Sequence, residues 1–599
     1  MFLDEFDPSD IAYLTEKSIM DEIVYDGIFG IEDEVKRTHA IVALEQRAEE
    51  LRKKTAVAKL LKSYYKKYGE RQAPVLSLDN VTRFAQCPYP QMKCGKWDAT
   101  DNGINCGSDT ACPHPLIPVE RLYNIETGTE KVKIAFYRDG RWREVVVDAG
   151  TVSSQTAIVS LSSRGILVNS GNAKHLVHYI GDVLSLNQIP IVSAVSRLGW
   201  VDSDFVPYCG KYAYDGDDDY RAIFDAVTEH GEADVWKAYA RDCCLYSNEC
   251  RFMLAASCAS VLVKLLGINS FVVHFWGGTG VGKTVGLVMA ASVWGNPAQG
   301  ALLQSLNATK VGLERKMAFL HDIPMFGDEL QIIKEKFDNY DQLIMYLTEG
   351  SGRSRGTASG GIERTLTWNN VLISNGEEPI TQPMSGGGAK NRCLEVQCEK
   401  PMFMDAHQAA NTFREHYGFL GKEFLAAIND GRLRDSYNGY FKEMLKKDTT
   451  DKQAMAMAAV ITADQYMAEV LGLEPNNIDG MARHMMRKSE VDVTVRAYEW
   501  VCNWIAEHEE KFQKYANPCW GRVEALEGHI LVNRSVLERE MSAAGFSLNA
   551  CLSKWDERKL FIRGHDNKFR TWARINGVGT TCIKFVAPCA TEVQQKVQQ

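Results

Sequence analysis

The run Phe271-Val-Val-His-Phe-Trp276 is apolar and rich in β-branched and aromatic residues, which predicts a buried strand. It breaks at Gly277-Gly-Thr-Gly-Val-Gly-Lys283-Thr284, and helical spacing takes over from Val285 to Trp294. Before it, Glu34 to Tyr68 sets Leu44, Leu51, Ala56, Leu60, Leu61 and Tyr64 among many charges, the pattern of an exposed helix or helical hairpin. Residues 80–230 read mostly as β: Val132-Lys-Ile-Ala-Phe-Tyr and Trp142-Arg-Glu-Val-Val-Val flank Arg138-Asp-Gly-Arg, a hairpin signature. Asn102-Gly103 predicts a second hairpin, and Ser170–Leu184 has helical spacing. Residues 231–270 read as two helices, 271–400 as α/β, and 401–514 as helical again, including Met455–Leu471 and Val493–Phe512. Ser385-Gly-Gly-Gly-Ala-Lys390 reads as a flexible loop. In 515–590, helical patterns begin at Asn533 and Ser547, broken by Gly545. Leu560-Phe-Ile-Arg, a turn at His565-Asp-Asn and Phe569-Arg-Thr-Trp-Ala-Arg-Ile follow, which predicts a winged helix.

A chain of 599 residues predicts three or four domains. A net charge of −9 excludes a uniformly basic nucleic-acid binder, so any such contact falls to local patches. One patch is 553–575: Lys554, Arg558, Lys559, Arg563, Lys568, Arg570 and Arg574 against Asp556, Glu557 and Asp566. The acidic start lacks a signal-peptide pattern, and polar residues interrupt the apolar stretch Phe252–Trp276, so a buried helix plus strand is expected there and no membrane span. Sixteen cysteines without a secretory signal predict reduced thiols in a cytoplasm. Cys87, Cys94, Cys106, Cys112 and His114 raise a zinc site, but their irregular gaps hold no C-x-x-C knuckle.

A strand running into G-x-x-x-x-G-K-T and then a helix is the context of a phosphate-binding loop. The backbone from Gly277 through Gly278, Thr279, Gly280, Val281 and Gly282 would cradle an anion at the helix N-terminus, Lys283 would reach the β- and γ-phosphates of ATP, and Thr284 would ligate Mg²⁺. Downstream, Ile323-Pro-Met-Phe-Gly-Asp328-Glu329 supplies an apolar run ending in two acids: Asp328 for Mg²⁺, Glu329 to polarise the attacking water. The strand ending Ser374-Asn375-Gly-Glu places a γ-phosphate sensor at Asn375, with Ser374 as the alternative. Arg392 opens a further strand, where it could reach the γ-phosphate of a neighbouring subunit. Between Glu329 and the strand ending at Asn375, Tyr346 to Arg364 has glycines around a Thr-Ala-Ser tip and Arg353, Arg355 and Arg364 on its stems, the pattern of a hairpin that could hold phosphates of a single strand.

These residues together resemble prophage and mobile-element proteins grouped under a domain of unknown function beside a helicase-like ATPase, including the replicative helicases of staphylococcal chromosomal cassettes. The resemblance covers about 85–585 and is carried by Ala111-Cys-Pro-His-Pro-Leu-Ile-Pro-Val-Glu-Arg, Ser196-Arg-Leu-Gly-Trp200, Gly277–Thr284 with Ala290-Ala-Ser-Val-Trp-Gly-Asn-Pro, Gly327-Asp-Glu-Leu-Gln and Asn375-Gly-Glu-Glu. It implies a multidomain α/β protein: an AAA+ P-loop core (231–400), a mixed α+β N-terminal collar (81–230), a helical lid (401–514) and a C-terminal winged helix (515–599). Residues 1–80, a helical extension, lie outside it. It further implies a hexameric ATP-driven DNA helicase, similar to minichromosome-maintenance-type ring helicases, acting on single-stranded or forked DNA with possible replication partners. Such helicases usually carry a lysine near the hairpin tip. Here the tip is Gly356-Thr-Ala-Ser-Gly-Gly, and the nearest cations are Arg353 and Arg355. DNA-binding candidates in the basic wing are Lys559, Arg563, Lys568 and Arg570. The alternative is an AAA+ switch or scaffold in origin assembly or anti-phage defence, without processive unwinding.

Overall fold

The computed structural model describes residues 7–31, 33–72, 80–328, 340–356, 364–382, 384–524 and 527–586. The chain divides into two compact units, residues 1–194 and 195–599.

In the first unit the charged N-terminal stretch forms helices Glu22–Phe29, Glu34–Glu50 and Lys54–Gln72. Asp33 caps the second, accepting from the Val35 and Lys36 N–H groups, and Arg52 at φ 53° turns the chain into the third. Tyr25, Phe29, Leu44, Leu61 and Tyr64 make their buried seam, so the Glu34–Tyr68 pattern is a helical hairpin. Strands Leu116–Asn124, Glu130–Arg138 and Arg141–Asp148 form an antiparallel meander, with Ile191–Val195 added parallel to the first. Asp139 (φ 52°) and Gly140 (φ 78°) supply the two left-handed residues of its predicted tight turn. The smaller hairpin turns at Asp101-Asn102, one residue earlier than predicted, because Gly103 already pairs with Thr100. An added Cβ at Gly103 would stand 2.7 Å from the Cys112 carbonyl oxygen. Among the described residues, Cys87, Cys94, Cys106, Cys112 and His114 do not converge as a metal-ligand group. His114 donates from Nδ1 to the Pro115 carbonyl (3.1 Å), and its Nε2 accepts from the Leu167 N–H (3.1 Å), so both ring nitrogens are engaged. Cys94 packs in the core against the Trp97 carbonyl.

The second unit is built on a five-stranded parallel sheet. Between 231 and 270 stand three helices, one more than predicted: Ala233–Tyr246, α1 (Asn248–Ala259) and Leu262–Leu266. The sheet elements follow as β1 (Val272–Trp276), α2 (Lys283–Ser292), β2 (Leu303–Ser305), α3 (Lys310–Leu320), β3 (Met325–Asp328), α4 (Tyr340–Leu347), β4 (Leu372–Gly376) and β5 (Cys393–Gln397). The strand order is β2-β3-β4-β1-β5, every pair parallel. Near-continuous burial along β1, β3 and β4 explains why their sequences read as apolar runs without alternation. The stretch Phe252–Trp276 is indeed buried helix plus strand, and among the described residues no helix is long and apolar enough to cross a membrane.

Residues 401–514 are helical, with the long buried α5 (Asp451–Leu471) at their centre. The expected loop at 385–390 is instead partly a helical turn, Gly387–Lys390. The glycines serve close packing there: a Cβ on Gly387 would lie 2.7 Å from the Val491 carbonyl oxygen.

The C-terminal segment holds β6 (Gly521–Glu524), β7 (His529–Asn533), α6 (Arg534–Ala543), α7 (Leu548–Glu557), β8 (Phe561–Ile562), β9 (Thr571–Ile575) and β10 (Val578–Val586). Asn533 caps α6, and Gly545 at φ 81° separates it from α7, as the sequence predicts. The hairpin after the helices differs from expectation. The chain does turn at His565-Asp-Asn, the Gly564 N–H donating to the Lys568 carbonyl (3.1 Å), but β8 pairs with the end of β10, and the hairpin is β9–β10, turning at Asn576 (φ 45°) and Gly577 (φ 83°).

Candidate functional site

The glycine-rich loop leaves the C-terminal end of β1, where parallel sheets present ligand sites. Its underside is clamped by residues 398–403. Cys398 N–H donates to the Trp276 carbonyl (2.7 Å) and Met402 N–H to the Val281 carbonyl (2.8 Å). A side chain on Gly277 would meet the Cys398 oxygen at 2.4 Å, and one on Gly282 would meet Phe403 at 3.0 Å. Gly278 and Gly280 face open space, with nothing within 4 Å of an added Cβ. The loop is thus rigid below and open above, as a cradle for an anion must be. Lys283 folds over it, Nζ donating to the Gly277 and Gly278 carbonyls at 2.8 Å each.

The strand order brings the remaining groups together. β4 lies between β1 and β3, so Asn375 stands between the loop and Asp328. Its Nδ2 donates to Asp328 Oδ1 (2.8 Å) and to Thr284 Oγ1 (3.3 Å), and the Thr284 hydroxyl donates to the same Asp328 oxygen (3.2 Å). A hydroxyl and a carboxylate converging beside the loop are the hard oxygen donors Mg²⁺ prefers, and the residues fit that ion. Ser374 faces the other way: its hydroxyl bonds His274 Nδ1 (2.9 Å), inside the sheet. Burial pulls the His274 imidazole down to about 4, so it is neutral there, its other nitrogen bonded to the Glu378 carbonyl.

Glu377 is a residue that motif reading leaves out. Its Oε1 accepts from the Thr279 hydroxyl at the loop's crest (2.7 Å), placing a carboxylate at the loop's mouth. The only signal for it in the sequence is its place two residues beyond the sensor. Glu329 lies outside the described residues.

Arg392 does not approach its own loop. It precedes Cys393, which pairs with Val272 at the start of β1, whereas the loop follows the strand's other end, five residues or about 16 Å away. Its guanidinium packs on the Met345 sulfur. The hairpin stems pair antiparallel as predicted, Ser351 with Thr367, while the tip residues 357–363 lie outside the described residues. Arg353 and Arg364 are exposed there. Arg355 is committed elsewhere, in a bidentate pair with Glu314 on α3 (3.0 and 2.6 Å) that the Tyr346 hydroxyl joins at 2.9 Å. In the C-terminal domain, Arg563 is paired with Asp556 and stacks on Phe569, and Lys568 and Arg570 flank Asp566 at 3.6 and 4.0 Å. Lys559 is exposed at a left-handed backbone position, φ 55°. Arg534, Asn549, Arg563, Lys568 and Arg570 line a cleft of about 620 Å³ between the helix pair and the 563–570 segment.

The motif residues outside the loop pack and tie elements together. Trp200 N–H donates to Asp322 Oδ2 (2.8 Å), and a Cβ on Gly199 would strike that carboxylate at 2.4 Å. Because Asp322 leads into β3, this contact fixes the strand that delivers Asp328. Trp294 donates to Ser257 (3.0 Å), Ser292 accepts from Trp236 (2.8 Å), and Gly295 lies against the Ala226 carbonyl, with no room for a Cβ.

Residues 96–368 match the protein family described as a domain of unknown function (DUF927), and residues 492–586 match the Cch helix turn helix domain. These two matches bear out the resemblance to the domain-of-unknown-function proteins that the sequence implied. Among solved structures it is similar to one described as "SCCmec type IV Cch - active helicase", with a TM-score of 0.62 and 16% identity over 84% of this chain and 99% of that one. At that identity the likeness speaks for a shared multidomain α/β fold. The C-terminal region of NrS-1 aligns at a TM-score of only 0.31 with 11% identity, over 78% of this chain and 97% of that one. No curated protein matches the sequence.

Proposed function

We propose that the chain is an ATP-driven DNA helicase of a mobile genetic element or prophage, a ring-forming AAA+ motor working in a bacterial cytoplasm. The observation that carries this reading is the meeting of Lys283, Thr284, Asp328 and Asn375 at one end of the parallel sheet. In it, residues 81–230 are the collar, 231–400 the motor, 401–514 the lid and 515–599 a winged helix. The triphosphate lies over the backbone from Gly277 to Gly282, and Lys283 exchanges its carbonyl partners for β- and γ-phosphate oxygens. Thr284 and Asp328 would hold Mg²⁺, which neutralises charge developing on those oxygens. Glu329 orients the attacking water, Asn375 contacts the γ-phosphate, and Arg392 completes the site of the next subunit. The pull of each turnover falls on a single DNA strand through the hairpin at Arg353 and Arg364 and the basic C-terminal domain.

A forked-duplex unwinding assay with 3′- and 5′-tailed substrates tests the activity. Trans action has its own test. Lys283→Ala and Arg392→Ala proteins, each inactive alone, regain part of the ATPase when mixed, because a mixed interface pairs an intact loop with an intact arginine. An Arg392 that served its own loop would give no recovery.

One observation favours a second reading, an AAA+ switch or scaffold: Arg355, a hairpin cation, is held by Glu314. ATPase insensitive to single-stranded DNA, with no strand displacement, would select it.

A further inference from the structure

The outward face of β9 alternates cation and aromatic. Ala573 and Ile575 turn inward against Leu531, Cys519 and Cys582, while Trp572 and Arg574 turn outward, with exposed Arg570 two residues before the tryptophan. Trp97, Trp236, Trp294, Trp368 and Trp555 are fully buried, whereas Trp572 is 68% exposed. So large an apolar ring left in water is a costly surface feature unless something covers it. The ring is seated nonetheless. It lies across Gly579 on β10, where an added Cβ would fall 2.3 Å from Cζ2 and 3.2 Å from Cη2. The glycine lets the indole rest on the partner strand's backbone, fixing its orientation and leaving the rest open. Of the acidic groups nearby, Asp566 is 4.0 Å from Arg570, and Glu524 is taken by Arg522, which also reaches the Arg574 carbonyl.

We propose that this face of the β9–β10 hairpin binds unpaired nucleic acid, with a base stacked on Trp572 and flanking phosphates on Arg570 and Arg574. A fixed aromatic between cations two residues apart matches the chemistry of a strand with exposed bases: a sequence-tolerant π surface and a charged backbone. A closed duplex offers only the second of these. The site therefore selects single strands or the open end of a fork. The inference rests on the reading of the chain as a nucleic-acid motor and adds where, outside the ring hairpins, the separated strand is held.

The test uses the full-length protein and labelled oligothymidylate, blunt duplex and fork, with affinity read by fluorescence anisotropy across a salt series. Trp572→Ala should weaken single-strand binding about tenfold, keep the salt slope and leave blunt-duplex affinity as it was. Trp572→Phe should restore most of the loss, and Arg574→Gln should flatten the slope by about one ion. Thermal unfolding identical to wild type shows that the exposed substitutions leave the fold intact. Single-strand affinity unchanged in Trp572→Ala overturns the site while leaving the helicase reading in place. An equal loss on blunt duplex overturns the stacking, and a change in particle mass with unchanged DNA binding makes the face a protein contact instead. A wild-type protein that binds no strand of any kind overturns both readings.

Discussion

Lys283→Ala is expected to abolish the proposed ATP hydrolysis, by about 10³-fold or more, and the proposed unwinding with it. In the resting loop Nζ is 2.8 Å from two carbonyl oxygens, so the ammonium is already aimed over the cradle and needs only to exchange partners. It is a charged donor beside the open glycines, and no backbone N–H can replace a full charge against a triphosphate. Lys283→Arg gives no rescue, because a planar fork does not fit where a compact ammonium sits. The measurement is phosphate release at saturating ATP beside a forked-duplex assay, with melting curves confirming the fold. Full unwinding by the alanine protein would end the motor assignment.

Arg251→Ala unfolds far more easily than wild type, by about 3–5 kcal/mol, although it touches no nucleotide-site residue. Arg251 on α1 holds Asp464 on α5 through two hydrogen bonds of 2.7 and 2.8 Å and also reaches the Glu474 carbonyl. Both side chains are nearly sealed from water, at 9% and 3% exposed, so the ion pair joins α1, which precedes the parallel sheet, to the long helix α5. Burial already pushes the Asp464 carboxyl above its ordinary range, against the opposing pull of Arg251. Removing the arginine raises it further and leaves a buried charge unpaired. The deficit is therefore largest at neutral pH and shrinks as the solution is acidified and the carboxyl takes a proton. Combining Arg251→Met with Asp464→Leu recovers most of the stability, since apolar side chains fill the space without charge. Denaturant melts across pH measure all three proteins. A single variant as stable as wild type at neutral pH would show that the pair carries no net weight.

Local patterns found much of this architecture. The Asp139-Gly140 turn, the Asn533 cap, the strand–loop–helix around Gly277 and the apolar run before Asp328 each depend on neighbours in sequence. Patterns failed where a distant partner decided the outcome. Gly386 to Gly388 look like a flexible linker, but Gly387 lets the Val491 carbonyl come close and Gly388 packs against the Met345 sulfur. Arg355 reads as a free cation, yet Glu314 claims it from another helix. Two turns form at the C-terminus, at His565-Asp-Asn and at Asn576-Gly577. Asn576-Gly577 closes the hairpin because β10 is long enough to pair with β7, β8 and β9 along its length.

The sequence by itself determined that a glycine-rich loop stands between a buried strand and a helix, because backbone conformation and glycine placement there are local matters. It determined the acid and amide that lie beside the loop, through the apolar runs that deliver them. Only the tertiary structure decided that β4 lies between the loop strand and the acid strand, which puts Asn375 within reach of both Thr284 and Asp328. It also decided that Arg392 lies a full strand's length from its own loop and that Trp572 is held in water. These depend on strand order and on which side chain covers which surface, and both are set by packing across the chain.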